Sequence, residues 1–409
     1  MTAKLTPAPQ HRSETAPLGG RIWTRATAPL GVLVVLMLAV LAVRFVRGIG
    51  AVTNLSDGYP WGIWIAFDVV CGSALAAGGF TVAFMTYILN RGEYHPLVRP
   101  ALIAALFGYV QAALSIVFDL GRYWNMWHMF WPTYIQANSV LFEVAVCIAS
   151  YTLVLSIEVL PMVLERLDWK VWKTARRGLG RVLFFFVALG VLLPTMHQSS
   201  LGSLLIVLGP QVHPLYQTRL LPALFLVSCV GMGLAAVTFE ATLSSLAWRR
   251  PLEREILAKL MNIGRMLMGL FLVMRVADVT VRGVWPLAFK GSIVSAAFWL
   301  ELVLFATPVV LLSTAAARRN AQRLFVSAIA MASAGMVYRL SAYLIAYQTG
   351  DGWTYFPSLG ELAVSAGLVA FEALAFIACV RLLPVLPKIP VPSPIPSPVP
   401  SPAPAHADT

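Results

Sequence analysis

Ten separate runs of apolar sequence, each long enough to cross a lipid bilayer, constrain this chain more than any other feature. They fall near 27–46, 61–89, 98–119, 138–163, 181–207, 219–246, 256–281, 291–313, 321–347 and 359–384. A helix needs about 20 apolar residues to span the hydrocarbon core, where it satisfies its own backbone hydrogen bonds. What lies between the runs is too short for a soluble domain of useful size. Only 12% of residues are charged, against about 25% in soluble domains. The expected fold class is an all-α polytopic membrane protein with ten transmembrane helices. The first run starts late, lacks a small-residue cleavage site and is followed by nine more, so it reads as a span and not as a signal peptide.

The charges give an orientation. Net charge is +12, from 30 Lys and Arg against 18 Asp and Glu. The basic residues sit mostly in short connections, so their excess reads as membrane topology and not as nucleic-acid binding. With the N-terminus inside, 21 basic residues fall in inside segments, six in outside segments and three within spans. That asymmetry predicts cytoplasmic termini. The domain reading is a cytoplasmic segment 1–26, a ten-helix membrane domain 27–384 and a Pro/Ser-rich tail 385–409. Proline at the tail's density favours an extended, disordered segment over helix or sheet.

Eight of the acids fall in or at the edges of spans: Asp68, Asp119, Glu143, Glu158, Glu240, Asp278, Glu301 and Glu372. Each charge at mid-membrane costs at least about 2.5–3.5 kcal/mol on insertion scales, so eight are an expensive accident. Some are expected to pair with the intramembrane Arg275 and Arg339 or to lock helices by hydrogen bonds. The rest read as proton carriers, since a dry environment favours the protonated form of a carboxyl. In span 4, Glu158 follows Glu143 by 15 residues, which is ~22 Å of depth with only ~60° of rotation. Together with Asp68, the mid-span Tyr109 and Glu240 near the inner end of span 6, these residues are the candidate proton path.

A second polar group gathers at the predicted outer ends of spans 2–5: Asp68, Asp119, Arg122, Tyr123, Asn138, His197, Gln198, Ser199 and Ser200. The sequence LPTMHQSS places His197 where the fifth span is expected to leave the membrane. A lone histidine is most often a structural donor. Beside Asp and Arg ends it is also positioned to donate to a quinone carbonyl and hand over its proton. Of six histidines only His197 falls within a span, which argues against a transmembrane haem with two histidine ligands. The four cysteines lie in apolar runs without a CxxC pair, which argues against an iron–sulfur cluster in this chain. The expectation from these counts is therefore no haem and no redox metal, so that a redox role needs a partner to bring electrons. The small-residue stretch CGSALAAGG (71–79) reads as close helix packing, or else as a slot for a flat ring.

An internal repeat is visible in outline. Span 3 ends in Asp119-x-x-Arg122 and span 7 in Asp278-x-x-x-Arg282, while span 4 carries Glu143 and span 8 carries Glu301. It suggests two four-helix bundles, spans 2–5 and 6–9, with two flanking helices. Two rival classes share parts of this pattern. A proton-coupled transporter needs broken helices at matching mid-membrane positions, which Pro194, Pro308 and Pro384 do not form. A passive anchor does not need eight buried acids.

The segments YPWGIWIAFD (59–68), NRGEYHPLVRPAL (90–102), DLGRYWN (119–125), NSVLFEVAVC (138–147), LPTMHQSSLGSL (193–204), VHPLYQ (212–217) and YFPSLGELAVS (355–365) closely resemble the polysulfide reductase NrfD family, in particular its members from hydrogenase-2-type nickel–iron enzymes. The resemblance runs from about residue 18 to 387. It implies a ten-helix membrane subunit without cofactors of its own, partnered on the periplasmic face by a ferredoxin-like iron–sulfur subunit and by large and small nickel–iron hydrogenase subunits. It implies that electrons from hydrogen pass to a menaquinone near the outer ends of spans 2–5, with protons moving across the bacterial inner membrane. Glu143 matches the acid associated with that proton path, and Asp68, Tyr109 and His197 match as well. Glu158 and Glu240 join the path on position alone. The alternative reading is the same quinone-linked role for a different periplasmic oxidoreductase.

Overall fold

A computed structural model describes residues 15–167, 170–350 and 352–388, and for residues 167 and 170–184 it describes the backbone only. Ten helices are long and apolar enough to cross a membrane: Ala28–Arg47 (span 1), Trp64–Ile88 (span 2), Gly92–Asp119 (span 3), Val140–Arg166 (span 4), Phe185–Val207 (span 5), Leu221–Trp248 (span 6), Arg254–Val281 (span 7), Ile293–Leu311 (span 8), Ala321–Ile345 (span 9) and Leu359–Leu382 (span 10). The largest departure from expectation is the start of span 3, six residues early. Pro96 sits in the first turn of its α-helix, where the missing N–H would have had no partner in any case.

Successive spans reverse direction, so the connections collect at two ends. One end carries 120–139, whose short 3₁₀ turns expose Trp124, Trp127, Phe130, Trp131 and Tyr134; it is called the aromatic face below. The other carries Arg249, Arg250, Arg318 and Arg319 and is called the basic face. Span 6 ends on the basic face with Arg249 in the left-handed region (φ 51°), a C-terminal stop normally taken by glycine. Span 10 begins on the aromatic face with a reciprocal cap: Glu361 N–H donates to Ser358 Oγ (3.0 Å), and Ser358 N–H donates to Glu361 Oε2 (2.9 Å). Two of the four otherwise orphaned N–H positions are thereby satisfied.

Spans 2 to 8 each pack on the next. Span 9 returns against span 6, span 2 lies along spans 5 and 6, and spans 1 and 10 pair with each other, with span 10 also against span 3. Span 2 is the most enclosed, with 83% of its central window buried, against 17% for span 1. Its small residues are the reason. A Cβ on Gly78 would lie 2.6 Å from Val237 Cγ2 and 2.7 Å from the Gly233 carbonyl, and one on Gly79 would lie 2.5 Å from Ala105 Cβ. The CGSALAAGG stretch is therefore packed directly against spans 3 and 6.

At the basic face the two ends of the described chain meet. Thr15–Ala16 pairs antiparallel with Leu386–Pro387. Arg99 binds Glu165 (2.9 Å), the Thr15 hydroxyl (2.8 Å) and the Pro384 carbonyl (2.7 Å), and Arg250 donates to the Pro387 carbonyl. The Pro/Ser-rich tail beyond Lys388, residues 1–14, and His11 and His406 lie outside the described residues.

Candidate functional site

Asp68 stands on a widened turn. Span 2 opens as a π-helix over Trp64–Val69, a local insertion often found at functional positions. Val70 N–H bonds the Ile65 carbonyl and Cys71 N–H bonds that of Phe67. The Ala66 carbonyl between them accepts the Cys71 thiol at 3.2 Å, the Val69 carbonyl accepts Ser73 Oγ at 2.5 Å, and the Val70 carbonyl accepts Arg339 at 3.2 Å. Three side chains thus hold the backbone around a fully buried Asp68. Asp68 Oδ2 accepts the Ser365 hydroxyl of span 10 at 2.7 Å. One helix over, the Gln111 carboxamide, oriented by its neighbours, donates to Glu372 Oε2 (3.2 Å) and to the Leu368 carbonyl (3.3 Å). Asp68, Ser365, Gln111 and Glu372 make a polar seam between spans 2, 3 and 10.

A second polar column lies among spans 2 to 5. Ser73 of span 2 meets His197 Nε2 at 3.1 Å and Gln198 Nε2 at 2.9 Å. The His197 and Tyr109 rings are 6.1 Å apart, and Tyr109 meets Tyr151 edge-on at 4.5 Å. Tyr151 Cε2 and Glu158 Oε1 lie 3.7 and 3.1 Å from the point that a Cβ on Gly190 would occupy. The glycine leaves room for both. Glu143, nearer the aromatic face, accepts the Ser200 hydroxyl at 2.8 Å. The Tyr109 and Tyr151 hydroxyls, His197 Nδ1, Gln198 Oε1 and Glu158 Oε1 are buried without a protein partner among the described residues.

His197 lies within span 5 and not at its exit. The helix continues ten residues beyond it, to Val207, which is ~15 Å of rise. The run of hydroxyl residues that reads as an exit stays helical because each bonds back along its own helix: Thr195 to the Val191 carbonyl (2.6 Å), Ser200 to that of Met196 (2.9 Å) and Ser203 to that of Ser199 (3.2 Å).

The other sequence-derived candidates are dispersed. Glu240 lines a cavity of about 100 Å³ at the basic face, with Pro96, Pro100, Arg250 and Leu386, away from the tyrosine column. Asp119 Oδ1 is buried without a hydrogen-bond partner among the described residues. Tyr123 packs edge-on against Phe45 at 4.9 Å, under the Arg44 guanidinium at 5.2 Å. Arg122 and Asn138 are exposed on the aromatic face. Nearby, Glu361 accepts the Asn54 N–H (2.9 Å) and the Tyr355 hydroxyl (2.5 Å). Burial and that carboxylate push the Tyr355 phenol well above its ordinary range, so it stays a donor.

Two of the eight acids are locked. Arg275 and Glu301, both fully buried, bond at 2.9 Å; Tyr216 donates to Glu301 at 2.9 Å, and Arg275 also donates to the Leu215 carbonyl at 2.9 Å. Asp278 pairs with Arg282 and accepts Thr218 at 2.5 Å. The remaining six have no ion pair among the described residues. Arg339 is fully buried but bonds only backbone carbonyls and Ser228, over the Phe225 ring. Unlike Arg275, it has no ion pair among the described residues.

Sequence reasoning passed over Tyr151, Ser73, Gln111 and Ser365. Tyr151 carried a usable signal: it falls ~20° from Glu158 around span 4. The others are ordinary polar residues whose partners come from distant spans.

Residues 51–349 match the family Polysulphide reductase, NrfD. The chain is 43% identical over 376 residues to the Probable Ni/Fe-hydrogenase 2 b-type cytochrome subunit of Escherichia coli, covering 91% of this chain and 95% of the relative. It is 28% identical over 368 residues to the Menaquinone reductase, integral membrane subunit of Nitratidesulfovibrio vulgaris, covering 84% and 87%. It is 24% identical over 392 residues to an Hdr-like menaquinol oxidoreductase integral membrane subunit of Archaeoglobus fulgidus, covering 87% and 93%.

The first of these names corrects one expectation. A relative at 43% identity is called a b-type cytochrome subunit, which implies haem, so the exclusion of haem by counting histidines does not stand. The described residues offer one histidine inside the bundle, His197, with Nδ1 free of protein partners. Ligation by two histidines does not fit them, and no step below passes through haem. The ten apolar helices and the extent of the match lead to one conclusion: this chain is a multi-pass membrane protein of the polysulphide reductase NrfD family.

Proposed function

We propose that this chain is the quinone-reducing membrane subunit of a periplasmic uptake hydrogenase complex in the bacterial inner membrane. On this reading the basic face is cytoplasmic, by the positive-inside bias, and the aromatic face is periplasmic. Electrons from hydrogen reach the aromatic face through a ferredoxin-like iron–sulfur subunit docked with the large and small nickel–iron subunits. There a menaquinone takes two electrons and two protons to become the quinol. The relatives' names, a hydrogenase-2 subunit and a menaquinone reductase subunit, support the redox class.

The observation that carries the reading is the column of proton-bearing groups without cationic partners. Glu158 lies toward the basic face, Tyr151 and Tyr109 follow, then His197 with Ser73, while Glu143 with Ser200 lies toward the aromatic face. An acid held by an arginine stays ionised and carries nothing. An acid among hydroxyls and phenols takes a proton from one neighbour and releases it to another. Asp68, with Ser365, sits on the widened turn at the quinone end. Protons drawn through this column from the cytoplasm make the reaction electrogenic, worth ~2.3 kcal/mol per charge per 100 mV.

The test is hydrogen-driven quinone reduction in liposomes holding the whole complex, with charge movement followed in parallel. E143Q is expected to lose charge movement. An E143Q complex that keeps both quinone reduction and full charge movement defeats the proposal. Hydrogenase subunits that fail to co-purify, with another oxidoreductase in their place, would leave the quinone chemistry and replace the partner.

A further inference from the structure

A second cavity holds Asp278 but none of the candidate proton-path or quinone residues. It measures about 610 Å³ and opens where spans 5, 6 and 7 reach the aromatic face, lined by Ile206, Gln217, Arg219, Ala277, Val281 and Arg282, among others. Its depth follows from the helix ends: Ile206 is in the last turn of span 5, Arg219 precedes span 6, and Val281 ends span 7. That is the level of the lipid headgroups.

The chemistry of the rim is specific. Arg282 is neutralised by Asp278 and also bonds the Pro214 carbonyl at 2.5 Å. Arg219 is exposed and has no hydrogen bond or ion pair among the described residues. The cavity therefore carries one uncompensated positive charge. Beside it, Gln217 Oε1 is buried without a partner, an acceptor waiting for a donor. Below the rim an apolar stripe runs down span 7 at helical spacing, uncovered throughout: Val281 (87% exposed), Ala277, Val273 (67%), Leu270 (46%) and Met266 (58%).

We propose that this cleft is a binding site for an anionic glycerophospholipid. Its phosphodiester bonds the Arg219 guanidinium, a headgroup hydroxyl donates to Gln217 Oε1, and one acyl chain lies along the span 7 stripe. Charge complementarity selects a lipid with a net negative headgroup, because Arg282 and Asp278 cancel and Arg219 remains. A quinone offers no anion to Arg219, and a free phosphate offers nothing to the stripe.

Native mass spectrometry of the full-length chain in micelles tests this, with dioleoyl phosphatidylglycerol and dioleoyl phosphatidylcholine as probes and excess inorganic phosphate as competitor. The wild type is expected to retain phosphatidylglycerol over phosphatidylcholine, and R219E to retain it about tenfold less. R219K should keep most of the binding. Arg219 has no partner to lose, so circular dichroism should report the same helix content in all three. Equal retention by R219E and wild type overturns the site. Equal retention of the two lipids overturns the anionic specificity. Full displacement by inorganic phosphate shows a free-anion site and overturns the lipid.

Discussion

The sharpest consequence of the structure is that its buried acids divide into two energetic classes, and Arg275 tests the division. Arg275 and Glu301 are fully buried and joined at 2.9 Å, with Tyr216 on the second carboxylate oxygen and the Leu215 carbonyl on the guanidinium. Replacing Arg275 by Met leaves Glu301 with one phenol and no cation. Removing one partner of such a pair costs about 3–5 kcal/mol. Replacing both, as R275M/E301L, removes the stranded charge and is expected to return stability to within about 1 kcal/mol of the wild type. Glu158 has no partner on Oε1, so E158Q should change stability by less than about 1 kcal/mol while abolishing proton-coupled charge movement. Unfolding in mixed micelles with rising dodecyl sulfate, followed by circular dichroism, measures the wild type, R275M, E301L, the double variant and E158Q. If R275M costs less than about 1 kcal/mol, or the double variant costs the sum of the singles, then Glu301 is not locked by Arg275 and the two classes collapse into one.

Three further outcomes are expected. C71A should cost about 1 kcal/mol by stripping the thiol from the Ala66 carbonyl, with C71S recovering most of it in the same unfolding assay. G78A should loosen span 2 from span 6, because its Cβ would meet Val237 Cγ2 and the Gly233 carbonyl; a loss of roughly 1–3 kcal/mol is read by thermal melting. His213 Nδ1 accepts the Leu215 N–H at 3.1 Å, and burial with the nearby Lys290 lowers its pKa. The folded state thus favours the neutral ring, and its stabilisation is present above the unfolded value of about 6.5 and lost as pH falls below it. Melting temperature should decline on acidification below that point, and H213Q should flatten the decline.

The agreement between sequence and structure follows the range over which each force acts. A span is set by some twenty consecutive side chains meeting oil, so the ten helices were legible from local hydropathy. Errors came where a local signal had two readings. Span 3 begins six residues before its apolar run, since Pro96 in the first turn does not stop a helix. The serines after His197 read as an exit although they bond within their own helix. The histidine count likewise seemed to exclude haem, which the b-type cytochrome name of a close relative contradicts.

By itself the sequence determined the number of spans, their alternating direction and the presence of eight acids in or beside oil, because lipid acts on each segment independently of its neighbours. Only the tertiary structure decided which acids are neutralised. Asp278 and Arg282 are four residues apart, within local reach, but Arg275 finds Glu301 in the next helix, and Asp68 meets Ser365 across nearly three hundred residues. Such partners depend on how helices face one another. That facing is set by close contacts like Gly78 on Gly233, which no periodicity along a single helix encodes.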